Sequence, residues 1–571
     1  MINWSEKWAQ VTRIWLTTHF NILVFLFVVV LSATLCFCGL GNRTLWQDEG
    51  ETAVLAQRVL SGGVPRALSG YNLVYQSQGG PQYDKNYRWT YHPWGQFYLT
   101  AASFAVLGQT NFAARFPFAL CGVLTVALLY VFVWRHWRSL AAAFLSALLL
   151  ATSTAFVLHC RQCRYYGLSA FTCLSAVVVF VELMKKPCRQ WWITFGVVLA
   201  AQFYADFGTL AVLLPGLALS LWPMGARKQQ LIAVAKASGL AILVMIPGLI
   251  LHWDRLTAAG GGNHRFLMIL LFHIYYFDNW FVPLVFLVPA GGVFVWRLVK
   301  SRERLSEQDR IVITCALVIG SIMTGMTWAA PYPYVRYLIS SASLARLLLA
   351  VILIEGYIIL RKKALPVLPA RMVFISSLLI LMFSNIFALP TQYLIYKYHR
   401  YLFKALDFCS KSSPFVRAEF AGLVYEITHD FVSPDRLAVN VAGDLVRSDE
   451  TVVMDYGELV LLFYRPDLRI YSSDTLSNLK GPPDLVILCQ VPSRIRAFFK
   501  ELREKNDHIY FAFSVPITSA GGNNAELGEH WFATPSVRRP LYILLRRDHE
   551  DRISRLPQTD EELEARWFRR R

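Results

Sequence analysis

Long apolar runs separated by short polar segments fill the first two thirds of the chain. A helix needs about 20 apolar residues to cross roughly 30 Å of hydrocarbon, and by this measure the pattern predicts about eleven transmembrane helices. Their approximate limits are residues 20–41, 112–134, 139–159, 165–184, 190–205, 207–224, 231–251, 279–298, 311–329, 337–360 and 372–392. The first run is longer than a cleavable signal sequence and no small-residue cleavage site follows it, so we expect it to remain as an anchor.

Residues 96–107 form another apolar segment, which is only about 12 residues long and too short to span a bilayer. Counting it as a span would also place the basic residues at 135–138 outside and invert every later loop. We therefore expect a helix lying on the outer membrane surface. The first outer loop, about 42–111, then becomes the longest insertion between spans.

The pattern changes near residue 393, where strand-like runs replace the long apolar ones. The predicted strands are 451–456, 484–491, 508–515 and 540–547, and the predicted helices include 457–464 and 493–505. This alternation indicates a soluble α/β domain. The expected organisation is a polytopic α-helical membrane domain over 1–392, which includes the loop 42–111, followed by an extracytoplasmic α/β domain over 393–571.

Composition agrees with a membrane protein. Of 571 residues, 55% are hydrophobic and 16% charged, and the mean hydropathy is +0.40, which excludes disorder and argues against an ordinary soluble enzyme. The formal charge of +18 would suggest nucleic-acid binding in a soluble protein. Here the lysines and arginines concentrate in alternate loops, which predicts a cytoplasmic N-terminus, an odd number of spans, an extracytoplasmic C-terminus and no nucleic-acid partner. The ten cysteines lie mostly in apolar runs and are interpreted as small hydrophobic residues.

Candidate chemistry begins at the start of the first outer loop. Asp48 and Glu49 precede a helical pattern that ends at Gly62. Acidic residues at a helix start are often caps that the helix dipole favours. The same two carboxylates at a membrane face also suit acid–base chemistry. Further along this loop, Lys85 and His92 lie in a cationic, aromatic stretch that suits either a lipid phosphate or nonspecific headgroup contact.

Further cations are predicted on the same side of the membrane. Arg161 and Arg164 lie in an apolar neighbourhood, where an arginine is costly unless it is paired or binds phosphate. Cys160 and Cys163 form a CxxC pair, but no second ligand pair completes a zinc site. Arg336 stands among tyrosines and suits a phosphate, although it could also snorkel to the interface. The convergence of these features on one face is more informative than any one of them.

In order and sidedness the motifs resemble the GT-C superfamily of polytopic glycosyltransferases, especially the protein O-mannosyltransferase group and the aminoarabinose transferases that modify lipid A. The resemblance covers most of residues 20–360. Its motifs are Leu45-Trp46-Gln47-Asp48-Glu49 with the helix to Gly62, His92-Pro93, Arg115-Phe116-Pro117, Arg161-Gln162-Cys163-Arg164-Tyr165-Tyr166, and Arg336-Tyr337. The chain departs from the family in carrying Asp206 where many members have a histidine, and in a long insertion around residues 70–90.

The resemblance implies an enzyme that moves one sugar, with inversion, from a polyprenyl-phosphate donor to a hydroxyl of a cell-envelope lipid, glycan or protein on the outer face of the bacterial inner membrane. Asp48 is then the general base, and Glu49 orients the acceptor or shares a metal ion. The implied donor-phosphate ligands are Lys85, Arg161, Arg164, Tyr165 and Arg336, and the implied acceptor or sugar contacts are His92, Tyr166, Asp206 and Tyr337. No cofactor is firmly implied, and a divalent metal held by Glu49, His92 or Asp206 is left open.

Two alternatives are considered. A transporter or flippase for a lipid-linked saccharide predicts charges near the bilayer centre and repeat symmetry, and only Arg346 and Glu355 in the tenth span point that way. An oligosaccharyltransferase is suggested by Asp455-Tyr456-Gly457, but the tryptophans of that family's signature are absent from this position.

Overall fold

The computed structural model describes residues 4–75, 82–258, 266–301, 305–330, 332–363, 366–402, 416, 418–429, 433–472, 475–488, 509–517, 539–553 and 562. The chain forms two compact units. The membrane unit comprises Met1–Cys38, Phe118–Arg161 and Tyr165–Val424, and the loop–sheet unit comprises Gly39–Pro117, Gln162–Arg164 and Tyr425–Arg571. The predicted domain boundary at 392/393 stays a prediction.

Helices dominate the described residues. In chain order they are α1 Trp4–Phe37, α2 Gln47–Gly62, α3 Gly95–Leu107, α4 Asn111–Trp137, α5 Leu140–Ala151, α6 Thr154–Cys160, α7 Tyr166–Lys185, α8 Arg189–Ala205, α9 Phe207–Ser220, α10 Lys228–Leu251, α11 Trp253–Ala258, α12 Phe266–Trp280, α13 Leu284–Ser301, α14 Glu307–Ala329, α15 Ala342–Lys363, α16 Val367–Phe383, α17 Leu389–Leu402, α18 Glu419–Thr428, α19 Pro434–Leu445, α20 Glu458–Tyr464 and α21 Glu550–Ile553. Short 3-10 helices cover Val335–Ser341, Ile386–Ala388, Leu476–Asn478 and Arg547–His549.

The membrane unit contains the described helices that can cross a bilayer, except for the first residues of α4, which belong to the loop–sheet unit. Within the described residues, six helices are long and apolar enough, and the number rises to nine if each of three bent helix pairs counts as one span. The chain is therefore a multi-pass membrane protein. The predicted runs 190–205 and 207–224 fold as α8 and α9, of 17 and 14 residues, and neither is among the six. The count of eleven spans stays a prediction.

Three predicted spans differ from straight helices. The predicted run 139–159 is α5 and α6, bent by 62°. The predicted run 279–298 covers the end of α12 and most of α13, which bend by 97°, and most of α12 is not predicted. The predicted run 372–392 covers parts of α16 and α17, which bend by 86°. At the first break the Thr152 hydroxyl donates to the Leu148 carbonyl at 2.8 Å, a local bond that competes with the helix ladder. Arg346 of α15 then holds two of the breaks, because its Nη2 donates to Ser153 Oγ at 3.2 Å and to the Trp280 carbonyl at 2.8 Å.

The loop–sheet unit contains a five-stranded sheet. Its strands are β3 Thr451–Met454, β4 Arg469–Ser472, β5 Leu485–Leu488, β6 Tyr510–Ile517 and β7 Arg539–Arg546, after a small ribbon of β1 Leu68–Ser69 and β2 Asn72–Leu73. The order is β4-β3-β5-β7-β6, in which β4, β3 and β5 run parallel and β7 is antiparallel to both β5 and β6. The four predicted strands and helix α20 are confirmed. The predicted helix 493–505 lies outside the described residues.

Helix α3, expected on the membrane surface, is confirmed as a helix of 13 residues. It packs against α2 within the loop–sheet unit. Its placement at the membrane interface stays a prediction.

Candidate active site

Helix α2 begins with a self-contained cap. The Trp46 carbonyl accepts the first helical bond from the Gly50 amide at 2.8 Å, and the Glu49 carboxylate reaches back to accept from the Trp46 amide at 3.2 Å. This back-bond satisfies an amide that the helix cannot use. The first turns then carry three carboxylates, Asp48, Glu49 and Glu51. Because residues three apart share a helix face, Asp48 and Glu51 lie together while Glu49 lies on another side.

Glu49 is fully buried and both of its carboxylate oxygens are occupied. Arg115 of α4 donates Nε to Oε1 at 2.7 Å and Nη2 to Oε2 at 2.6 Å, and the Cys163 amide donates to Oε1 at 2.7 Å. The same guanidinium donates to the carbonyls of Leu40, Arg43 and Thr44 at 2.8–3.0 Å. This bidentate pair fixes the loop to the start of α4.

On the other face, Glu51, His92 and Arg164 form a second cluster, in which Glu51 and Arg164 are buried and His92 is half-buried. Arg164 Nη1 donates to Glu51 Oε1 at 2.9 Å, and His92 Nδ1 lies 3.0 Å from the same oxygen. Arg164 Nη2 lies 3.2 Å from His92 Nε2. Because arginine can only donate, His92 accepts at Nε2 and carries its proton on Nδ1, which faces Glu51. This contact selects the neutral imidazole.

The charges of this cluster follow from its burial. Burial alone would raise the pKa of Glu51, but His92 and the Arg164 guanidinium, which both face its carboxylate, outweigh burial and hold that pKa below its ordinary value. Burial lowers the pKa of His92, and Arg164 lowers it further, against the opposing effect of Glu51. The cluster is therefore an ionised Glu51, a cationic Arg164 and a neutral His92.

Asp48 lies at the edge of this cluster. Arg164 Nη2 is 3.9 Å from Asp48 Oδ2, and Arg164 Nη1 donates to the Asp48 carbonyl at 3.1 Å. The Asp48 side chain is 18% exposed, whereas those of Glu51 and Glu49 are 2% and 0% exposed. Of the three carboxylates, Asp48 is the one with surface available to a ligand and a cation beside it. It can accept a proton from a bound hydroxyl.

Lys85 and His92 are on one loop but in different surroundings. Asp84 Oδ1 accepts from the amides of Asn86 and Arg88, both at 2.9 Å, and Asp84 Oδ2 accepts from Arg88 Nε at 2.7 Å. This tight turn leaves Lys85 exposed at its tip. Within the described residues, Lys85 makes no hydrogen bond or ion pair with the Arg164 cluster, which His92 joins.

The remaining predicted site residues belong to the membrane unit. Arg161 donates Nη1 to the carbonyls of Leu35 and Cys36 at 2.9 and 3.0 Å, which satisfies groups at the end of α1. Tyr165 and Tyr166 pack together with ring centroids 4.7 Å apart. Arg336 lies over the rings of Tyr334 and Tyr337, 4.2 and 5.7 Å from their centroids. Such cation–aromatic contacts keep a charge near apolar surroundings.

Asp206 caps helix α9. Its Oδ1 accepts from the Gly208 amide at 3.0 Å and its Oδ2 from the Thr209 hydroxyl at 2.5 Å. Thr209 continues into a chain of buried polar contacts that includes Ser340 and Ser169, at 3.3 and 3.0 Å. Asp206 is therefore joined to the 3-10 helix that carries Arg336 within the same unit.

Potential metal ligands come together elsewhere. Among the described residues, one trio places its ligating atoms within 4.8 Å of one another, namely Glu450, Asp484 and His549. Its carboxylates already face arginines, because Arg552 donates to both Glu450 oxygens at 2.6 and 2.7 Å and Arg546 lies 2.9 Å from Asp484. The trio therefore belongs to an ion-pair network that joins α21 to residues at or beside the ends of β3, β5 and β7.

Neither Glu51 nor Arg115 is assigned a role from the sequence. For Glu51, the sequence does contain a signal, because its i, i+3 spacing from Asp48 places both carboxylates on one helix face. Arg115 belongs to a motif of the resemblance, but its pairing with a carboxylate 66 residues earlier has no local signal.

Comparison with known proteins agrees with this architecture. Residues 91–252 match the family described as dolichyl-phosphate-mannose-protein mannosyltransferase. A curated relative, undecaprenyl phosphate-alpha-4-amino-4-deoxy-L-arabinose arabinosyl transferase 2 of Pseudomonas fluorescens (strain Pf0-1), is 31% identical over 218 residues, which are 36% of this chain. The chain spans 36% of the length of that relative.

Two solved structures share the fold. ArnT from Cupriavidus metallidurans bound to undecaprenyl phosphate has a TM-score of 0.53 at 12% identity, over 92% of this chain and 97% of that one. The apo state of the same protein has a TM-score of 0.52 at 13% identity, over 92% and 98%. The class is therefore a multi-pass membrane protein with the GT-C fold. Within that class, the chain resembles the aminoarabinose transferases, as the sequence predicts.

Proposed function

We propose that the protein is a membrane glycosyltransferase that moves a single sugar from a polyprenyl-phosphate donor to a hydroxyl of a cell-envelope lipid, glycan or protein. The likeness to an undecaprenyl-phosphate-aminoarabinose transferase and to ArnT bound to undecaprenyl phosphate supports this donor class. The names of these relatives favour a transferase over a transporter. The proposed location is the bacterial inner membrane, with the reaction on its outer face.

The observation that carries the proposal is the unequal exposure of three neighbouring carboxylates. Glu49 is held by Arg115 and the Cys163 amide, and Glu51 is held by Arg164 and His92. Asp48 keeps a partly exposed carboxylate beside Arg164. Asp48 is thus the proposed general base, and Glu49 is a positioning residue.

The proposed reaction is a single displacement. The acceptor oxygen attacks the anomeric carbon, its proton passes to Asp48, and the bond from the anomeric carbon to the phosphate oxygen breaks. The electron pair leaves with the polyprenyl phosphate, and attack from the opposite side inverts the anomeric configuration. A hydroxyl is a weak nucleophile, and a positioned base contributes about 10²–10⁴-fold to such a step.

The other assignments follow the sequence predictions. Arg164 orients Asp48 and contributes positive charge for the leaving phosphate, and Lys85, Arg161, Tyr165 and Arg336 remain predicted phosphate ligands. His92, Tyr166, Asp206 and Tyr337 remain predicted contacts to the acceptor or sugar. A divalent metal held by Glu49, His92 or Asp206 remains an open prediction. The two bonds from Arg115 and the one from the Cys163 amide leave Glu49 poorly suited to it.

The test uses purified full-length protein in nanodiscs and an isotope-labelled undecaprenyl-phosphate sugar. Mass spectrometry measures undecaprenyl phosphate release with a membrane extract as the acceptor source. We expect Asp48→Asn to reduce release about 10²–10⁴-fold, the contribution of a general base. Asp449→Asn, the same change at an exposed site in the loop–sheet unit, should match wild type. Wild-type turnover by Asp48→Asn would contradict the assignment, and no release by folded wild type would contradict the donor class.

A further inference from the structure

Helix α2, which carries Asp48, packs closely against the main chain of helix α20. A methyl group built on Gly50 would lie 2.8 Å from the Leu459 carbonyl carbon and from the Val460 nitrogen. Both neighbours are main-chain atoms, so neither can move aside without shifting α20. Glycine at position 50 therefore permits this approach two residues after Asp48.

A reciprocal pair of hydrogen bonds lies beside this contact. Gln47 Nε2 donates to Glu458 Oε1 at 2.6 Å, and the Leu459 amide donates to Gln47 Oε1 at 3.3 Å. Gln47 and Glu458 are both buried. Because the Leu459 amide is in the first turn of α20, it has no partner within its own helix, and the Gln47 amide group satisfies it.

The other end of α20 holds the segment before Asp48. The Tyr464 hydroxyl accepts from the Leu45 amide at 3.3 Å and donates to Asn111 Oδ1. The first and last residues of α20 thus bond to residues 47 and 45. The chain leading to Asp48 is fixed at two points, and both lie on helix α20.

We propose that Gln47 and Glu458 are positioning residues for the reaction, through which the C-terminal α/β region sets the orientation of the Asp48 carboxylate. This inference rests on the proposed function, because it assumes that Asp48 is the base. It gives the C-terminal region a direct part in the rate of transfer. The expected signature is a lower kcat with an unchanged KM for the donor, since neither residue is proposed to contact the donor.

The pair offers a test by exchange. Gln47→Glu alone sets two carboxylates against each other, and Glu458→Ala alone removes the acceptor. The double variant Gln47→Glu with Glu458→Gln restores both bonds, since the side-chain amide introduced at position 458 can donate to the carboxylate introduced at position 47, which also accepts from the Leu459 amide. The net charge of the pair is unchanged. We expect each single variant to lower kcat about tenfold or more. A displacement of about 1 Å can cost about 10²-fold, and these variants should displace the base by a fraction of that distance. The double variant should recover at least half of the wild-type kcat.

A matched control removes a similar contact at another place. Arg43 and Glu426 form an ion pair of 2.6 Å between the same loop and helix α18. We expect Glu426→Ala to lower the melting temperature as Glu458→Ala does while leaving kcat within twofold of wild type. Hydrogen exchange at residues 47–52 adds a measurement without turnover, and we expect faster exchange in Glu458→Ala and wild-type exchange in the double variant.

The outcomes separate the two proposals. If Asp48→Asn is inactive while both single variants keep the wild-type kcat, the positioning role is wrong and the proposed function stands. If Asp48→Asn is fully active, the proposed function fails. If Glu426→Ala loses as much kcat as Glu458→Ala, the effect is general loosening and the positioning proposal is overturned. If a single variant does not fold, failure of the double variant to restore folding and rate would also overturn it.

Discussion

The two faces of helix α2 each bring a glutamate to an arginine, and the two pairs differ in what surrounds them. On one face, Glu49 and Arg115 satisfy each other and the nearby backbone, and nothing is exposed. On the other, Glu51 and Arg164 are equally buried, but the guanidinium also lies 3.9 Å from the partly exposed Asp48. The first pair has the features of a structural contact. The second pair has the features expected of residues that position Asp48.

The largest expected effect comes from breaking the first pair. Glu49→Gln leaves Arg115 buried without a counter-charge, which costs about 3–5 kcal/mol in buried ion pairs. We expect a sharply lower melting temperature and a low yield of folded protein, measured by differential scanning fluorimetry in detergent. Glu51→Gln is the matched change on the other face, and it should destabilise less because Asp48 remains near Arg164. A larger loss of stability in Glu51→Gln would contradict this comparison.

The second pair should control rate more than stability. Arg164→Lys keeps the charge but loses the planar fork that reaches Glu51, His92 and Asp48 together. We expect kcat to fall roughly 10²-fold, which is what a misplacement of about 1 Å costs, with a melting temperature close to wild type. Initial rates of undecaprenyl phosphate release measure this effect. A wild-type kcat in folded Arg164→Lys would show that the fork does not orient Asp48.

Some parts of this structure can be predicted from the sequence and others cannot. The apolar run 231–251 predicts α10 well, because about twenty apolar residues leave few alternatives. Strand β4, Arg469–Ser472, is not predicted, since four residues carry too little alternation. At the site, the motifs contain Asp48, His92 and Arg164, which the structure brings together in one cluster. The contrast between the buried, paired Glu49 and the partly exposed Asp48 could not be predicted, because it depends on Arg115 and the Cys163 amide, which are distant in sequence.

Asp435 of helix α19 is another buried carboxyl group, and it lies near the start of α20. Burial, together with the nearby Glu458 and Glu49, raises the pKa of Asp435 to about 8. The folded state thus holds a proton that the unfolded state releases near the ordinary aspartate value of about 3.9, so its contribution to stability is full below about pH 4 and is lost as pH rises to about 8. We expect Asp435→Asn to raise the melting temperature more at pH 8 than at pH 5.

The control for this prediction is the exposed Asp449→Asn, which should change the melting temperature little at either pH. Equal shifts in Asp435→Asn at pH 5 and pH 8 would mean that Asp435 does not hold its proton in the folded state.

The smallest effect is expected at Lys85, which is exposed at the tip of its turn. An exposed charge contact is worth about 0.2–1 kcal/mol, so Lys85→Ala should raise the donor KM by a few-fold at most and leave kcat unchanged. The effect should fade in high salt, which screens exposed charges. Donor titrations at two salt concentrations measure it. A large loss of kcat would instead indicate that Lys85 acts on the reacting groups.

The most direct test of the central claim, that Asp48 is the base of the reaction, replaces the acceptor with an anion that needs no base. Azide attacks the anomeric carbon without losing a proton, and the polyprenyl phosphate leaves as before. In Asp48→Ala we predict that transfer to hydroxyl acceptors is lost and that azide restores donor consumption, giving a glycosyl azide of inverted configuration by mass spectrometry and NMR. Transfer to hydroxyl acceptors by Asp48→Ala at the wild-type rate, or no azide product from the folded variant, would contradict the assignment.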